Sequence, residues 1–252
     1  MVFSKSMTEP NSPELDSTIA SLEFQRSTMA AKLNWLRAGV LGANDGIMST
    51  SGLILGVAAS PGVSSATILI AGVAAVVAGS ISMAGGEYTS VSAQRDSEKA
   101  ALVVERKELI DNPEGELREL AWFYEQKGMS PELAIQVAKE LTSKDALKAH
   151  AEAELGIDSD HHVSPTQAAL SSFVAFAVGG MLPLLAVIGP WTEYRIQATV
   201  GSVVMALILT GFVGAKIGGA KPARGIVRNL FVSMLTMGVT YIIGHLVGTN
   251  IS

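Results

Sequence analysis

The chain has 252 residues, 48% of them hydrophobic and 16% charged, with a mean hydropathy of +0.37 and a formal net charge of −5. That is too apolar for a soluble domain of this size and indicates an integral membrane protein. The acidic balance excludes a nucleic-acid partner, which needs a basic face, and the lack of cysteine excludes disulfides, thiolate zinc sites and iron–sulfur clusters.

Residues 1–32 form a polar segment carrying Glu9, Glu14, Asp16 and Glu23. They hold no short apolar core followed by a cleavage site, so no removable signal peptide is expected, and the stretch 21–34 reads as a helix near the membrane surface. Residues 33–92 contain two predicted membrane helices, at 36–59 and 66–91, each long enough at about 1.5 Å per residue to cross a bilayer core of about 30 Å. Ser60-Pro61-Gly62 separates them. In the second, Ala71, Ala75 and Gly79 recur every fourth position, which suits close helix packing in general as well as a dimer seam.

Residues 93–165 interrupt the apolar pattern with 16 of the 23 acidic and 9 of the 18 basic residues, a local net charge of −7. This insert reads as helical throughout. The second span continues through 97–110, Asp111-Asn112-Pro113 breaks it, and further helices follow at 114–126, 130–141 and 143–156. Residues 166–252 return to the membrane with spans at 166–188, 196–215 and 225–247. The predicted fold class is therefore an all-α integral membrane protein with five transmembrane helices and a helical insert after the second. Basic residues gather before the first span, in the insert and between the last two spans, whereas the other two loops carry only Arg195. The N-terminus and insert are thus expected on the cytosolic side, with the C-terminus opposite.

Two sets of side chains carry candidate chemistry. In the insert, Glu105 and Glu108 share one helix face, as do Glu116 and Glu119 on the next helix, and the short Asn-Pro turn can bring the pairs together. Four clustered carboxylates repel one another unless protons or cations intervene, which suits a divalent metal; a solvated acidic face balanced by Arg106, Lys107 and Arg118 is the alternative. His150 and Glu154, one turn apart, could add a nitrogen and an oxygen ligand and favour a transition metal. Asp158, Asp160, His161 and His162 at the insert's exit read as a polar linker that could also bind metal. In the membrane, Asp45 and Glu87 are the acids well inside predicted spans, where a carboxylate costs on the order of 3 kcal/mol at the bilayer centre and usually serves an ion path, a proton relay or a buried partner. Met83 lies one turn from Glu87, and Met48 lies three residues from Asp45. If those faces meet, thioether and carboxylate line one conduit suited to Fe(II) or Mn(II).

The stretches Arg37-Ala-Gly-Val-Leu-Gly-Ala-Asn-Asp-Gly-Ile-Met, Ala78-Gly-Ser-Ile-Ser-Met-Ala-Gly-Gly-Glu-Tyr, Glu105-Arg-Lys-Glu-Leu, Asp145-Ala-Leu-Lys-Ala-His-Ala-Glu-Ala-Glu-Leu-Gly and Pro165-Thr-Gln-Ala-Ala-Leu closely resemble the vacuolar iron transporter family, particularly its bacterial branch. The resemblance covers about residues 33–250 in order. It implies a homodimer that exports Fe2+, and often Mn2+, from the cytosol in exchange for protons, with the metal as transported substrate and no prosthetic group. It also implies a pore at the dimer interface, where Asp45 and Met83 match the membrane ligand positions. Glu105, Glu108, Glu116 and Glu119 match the four glutamates of the family's cytosolic metal-binding domain, and Glu154 matches a fifth carboxylate. Two departures bear on mechanism: Ala75 stands where plant members carry a glutamate, with Glu87 as a compensating candidate, and His150-Ala151 stands where they carry two methionines. The bacterial likeness and the missing signal peptide favour a plasma (inner) membrane over a vacuolar one.

A passive divalent-metal channel is the main alternative to antiport. A membrane-bound ferritin-like iron oxidase would need Glu-x-x-His spacing on its helices, and no Glu in this chain has His three residues later. A metal sensor without transport would leave Asp45 and Met83 without a role.

Overall fold

A computed structural model describes residues 13–157 and 164–251; Asp158, Asp160, His161 and His162 lie outside the described residues. The described elements are helical: α1 (Pro13–Ala58), α2 (Ser65–Asp111), α3 (Pro113–Gln126), α4 (Pro131–Ala153), α5 (Pro165–Val187), α6 (Arg195–Ile217) and α7 (Pro222–Ile251), with one 3-10 turn at Thr192–Tyr194. Five segments are long and apolar enough to cross a membrane, in Trp35–Ala58, α2, α5, α6 and Pro222–Asn250. The protein is an all-α, multi-pass membrane protein.

Helix starts follow local chemistry. Ser64, Ser130 and Ser164 each accept a backbone N–H from three residues on, at 3.1, 3.4 and 3.4 Å, and α3, α4 and α5 carry proline in the first turn, where its missing N–H costs nothing. Each such cap contributes about 1 kcal/mol.

In the membrane part, α5 packs against α1 and α2, while α6 and α7 pair with each other and with α1. One core joins Ile54, Ile68, Val76, Leu184 and Val187 from α1, α2 and α5; another joins Ile47, Leu55, Val203, Leu207 and Met237 from α1, α6 and α7. Helix α1 belongs to both, so it is the element around which the bundle closes. The α1–α5 crossing is tight enough that a methyl group at Gly46 would overlap the Phe176 carbonyl, and one at Gly179 would overlap the backbone of Ala43.

Helix α2 has 47 residues, about 70 Å of helix, so more than half of it stands clear of an apolar layer of about 30 Å. Helices α3 and α4 fold back along that projection around Leu120, Ala121, Ala134, Ala138 and Ala149. Within α4, Asp145 is extended (φ −159°, ψ 95°) and its carboxylate accepts the Lys148 N–H at 3.0 Å. The side chain thus caps a separate helical segment, which corresponds to the break expected at Ser143-Lys144-Asp145.

Candidate metal centres

The first centre lies where α2, α3 and the last segment of α4 meet. Asn112 leaves helical geometry (φ −144°, ψ 62°), its side chain accepts the Gly115 N–H at 3.1 Å, and Pro113 starts α3, so the chain reverses within one residue. That reversal sets Glu105 and Glu116 on facing helix surfaces, and α4 covers both with His150. His150 is fully buried, Glu105 is 2% exposed and Glu116 9% exposed. The His150 Nδ1 lies 2.9 Å from a Glu105 oxygen, 3.6 Å from Glu154 and 3.7 Å from Glu116.

These approaches are within ion-pair range but lack hydrogen-bond geometry. Glu105 Oε1, both ring nitrogens of His150 and Glu154 Oε2 are buried without a hydrogen-bond partner among the described residues. Leaving such groups unsatisfied costs about 1–3 kcal/mol each, more when charged, so the arrangement requires another reason. Ligands about 2.1 Å from one ion lie about 3.0 Å apart at right angles and about 3.4 Å apart at tetrahedral angles; the 2.9 Å separation is close to the first, and those of 3.6 and 3.7 Å are slightly wider than the second. Ligand atoms of Glu105, His150 and Glu154 all fall within 4.8 Å of one another.

Electrostatics agree with the geometry. Burial, and then the charges of Glu154, Glu116, Glu108 and Glu119, push the Glu105 carboxyl up from 4.5 to about 7. Burial and Glu119 also raise Glu116, and His150 offsets part of that rise. A bound cation would reverse both effects. Of the sequence candidates, Glu105, Glu116, His150 and Glu154 converge at this point. Glu108 and Glu119 sit on the exposed side of the same hairpin, where they contribute charge to the site.

The second centre is a cleft of about 490 Å³ between α1 and α2, with Phe176 of α5 at its wall. Asp45, Met83 and Glu87 all line it, as do Ala75 and Gly79. The conduit expected from Met48 needs correction: Met48 packs against the Ile47, Leu55 and Val203 core, and Ser49, one turn from Asp45, lines the cleft instead. Ser49 donates to Asp45 at 2.7 Å. The i to i+4 spacing of Asp45 and Ser49 was the available signal for that residue. Asp45 and Glu87 are half-buried rather than enclosed, and Arg37 approaches Glu87 at 3.4 Å, a partner the sequence reading did not assign.

Residues 36–245 match the profile of the VIT family. The chain is 45% identical over 234 residues to a "Vacuolar iron transporter" of Acanthamoeba castellanii, covering 91% of this chain and 85% of that protein. It is 36% identical to "Vacuolar iron transporter homolog 1" of Oryza sativa subsp. japonica, over 87% of this chain and 77% of the relative. It is 34% identical to "Vacuolar iron transporter homolog 3" of Arabidopsis thaliana, over 87% and 86%.

Proposed function

This chain belongs to the VIT family of membrane metal transporters, and from that premise we propose that it moves Fe2+, and also Mn2+, out of the cytosol in exchange for protons. The observation that carries the reading is the set of buried, unbonded ligand atoms of Glu105, His150 and Glu154. A stability-only role would leave that set at a net cost of about 1–3 kcal/mol per group, whereas a divalent cation would satisfy one ligand atom each of Glu105, His150 and Glu154.

In this reading the α2–α3–α4 packet faces the cytosol, as the distribution of basic residues favours, and collects the metal. Three carboxylates and one imidazole give a mixed oxygen and nitrogen donor set appropriate to Fe2+ or Mn2+, and the solvent-facing Glu108 and Glu119 raise the local cation concentration. The metal is the transported substrate. It then passes to the α1–α2 cleft, where Asp45 offers a carboxylate oxygen and Met83 a thioether. Ser49 orients Asp45, and Glu87, held by Arg37, stands one turn from Met83 at the packet side. Carboxylates that alternately hold metal and proton supply the exchange.

The α2 face carrying Val73, Val77 and Ile81 is apolar and exposed, which suits burial against lipid or against a second copy. The membrane step is tested by Fe2+ and Mn2+ flux in proteoliposomes under a pH gradient, with an internal pH dye. The native chain should show metal movement with proton counterflow, and Asp45→Ala should abolish both. Metal flux with no pH response would make the protein a channel.

A further inference from the structure

A second and larger cavity, about 860 Å³, opens between α1, α6 and α7 and belongs to neither metal centre. Chain direction puts the α6–α7 turn on the same side of the membrane as the α3–α4 packet. Arg37, Lys221, Arg224 and Arg228 line the cavity, and no carboxylate does among the described residues. Lys221, Arg224 and Arg228 form no ion pair with any described residue.

Its floor is polar. Asn44 Oδ1 accepts from Thr210 Oγ1 at 2.5 Å and from Asn229 Nδ2 at 3.4 Å, which leaves the Asn44 amide N–H2 without an acceptor among the described residues. The depth is that of a headgroup layer. The α7 span Pro222–Asn250 has 29 residues, about 43 Å, against about 30 Å of hydrocarbon. A surplus of about 13 Å leaves room for Lys221, Arg224 and Arg228 to lie at the interface. A preference for cytosolic cations accounts for basic residues in this loop. It does not account for their convergence, with an arginine from α1, on one cavity with a polar floor.

We infer that this cavity binds a phosphate-bearing anion, its phosphate seated among Arg37, Lys221, Arg224 and Arg228 with the polar Asn44 floor beneath. Guanidinium forks match phosphate oxygens in pairs, and basic pockets between membrane helices accept anionic headgroups. The volume exceeds that of phosphate alone and has room for a glycerophosphate headgroup. Arg37 touches Glu87 on one flank and lines this cavity on the other, so the anion site and the metal cleft share a side chain.

The test uses the full chain in detergent, titrated with short-chain phosphatidylglycerol, phosphatidylcholine or inorganic phosphate, with binding read by native mass spectrometry and by the melting midpoint. The variants are R224Q/R228Q and, as a control in the same region, Lys216→Gln, whose ammonium lies over the Phe212 ring and outside the cavity lining. The native chain should bind phosphatidylglycerol saturably and in preference to phosphatidylcholine. R224Q/R228Q should weaken this by roughly thirtyfold, with Lys216→Gln unchanged. Equal response to inorganic phosphate identifies a soluble source for the same site, and response to the lipid alone identifies the membrane. R224K/R228K, which keeps both charges, should retain binding within a few-fold and covers the case of a double glutamine variant that does not fold. Equal binding of the two lipids by the native chain, or equal losses in R224Q/R228Q and Lys216→Gln, would overturn the assignment.

Discussion

Replacing Glu105 with Gln should stabilise the α2–α3–α4 packet without metal and remove its stabilisation by metal. In the metal-free chain the Glu105 carboxyl titrates at about 7 instead of 4.5, chiefly because it is buried and secondarily because of Glu154 and Glu116. At pH 8 the buried anion therefore costs the folded packet about 3 kcal/mol, an upper figure because neighbouring carboxylates share the protonation. Glutamine keeps the shape and removes the charge, although its amide still needs a partner beside His150. The gain should be about 1–3 kcal/mol, a slowing of amide exchange in α3 and α4 of roughly tenfold to hundredfold under chelator. With Mn2+ present the order should invert, because losing a direct ligand should weaken affinity by at least about a hundredfold. Hydrogen exchange of the full chain at pH 8, with chelator and with Mn2+, reads both effects at the same amides. A Glu105→Gln packet that opens faster than native under chelator, or that keeps the full Mn2+ protection, would refute the reasoning.

The pH dependence has a definite sign. A carboxyl whose folded value is raised binds its proton more tightly when folded, so the metal-free packet should be most protected near pH 4.5 and lose protection as pH rises through 7; Mn2+ should reverse that trend. His150→Leu, similar in volume and apolar, should leave the metal-free packet folded and lower affinity for Co2+ and Zn2+ more than for Mn2+, measured by competition titration; equal losses for all three would remove the ring nitrogen from the ligand set. Gly46→Ala should lower the melting midpoint, since its methyl group would press on the Phe176 carbonyl at the α1–α5 crossing and cost about 1–3 kcal/mol; an unchanged midpoint would mean that the crossing relaxes freely.

Much of this architecture is written in local sequence. The five membrane spans follow from runs of apolar residues longer than a bilayer is thick, because backbone polar groups in hydrocarbon must be satisfied within a helix. Ser64, Ser130, Ser164, Asn112-Pro113 and Asp145 mark helix starts, since capping and the missing proline N–H are decided within four residues. Which side chains meet is another matter. Glu105 and Glu108 are three apart, about 60° around a helix, so spacing alone allows either to face inward. The packing of α4 over the α2–α3 hairpin, around Leu120, Ala138 and Ala149, buries Glu105 and Glu116 against His150 and leaves Glu108 and Glu119 outside. Likewise the rotation of α1, held by its crossing with α5 at Gly46 and Gly179 and by the Ile47–Val203–Leu207 core, turns Met48 inward and gives Ser49 to the cleft. The joining of Arg37 to Arg224 and Arg228, almost two hundred residues apart along the chain, was beyond any local pattern. Helix identity depends on interactions within a few turns, whereas a helix's rotation is decided by volume and close contact with neighbours distant in sequence.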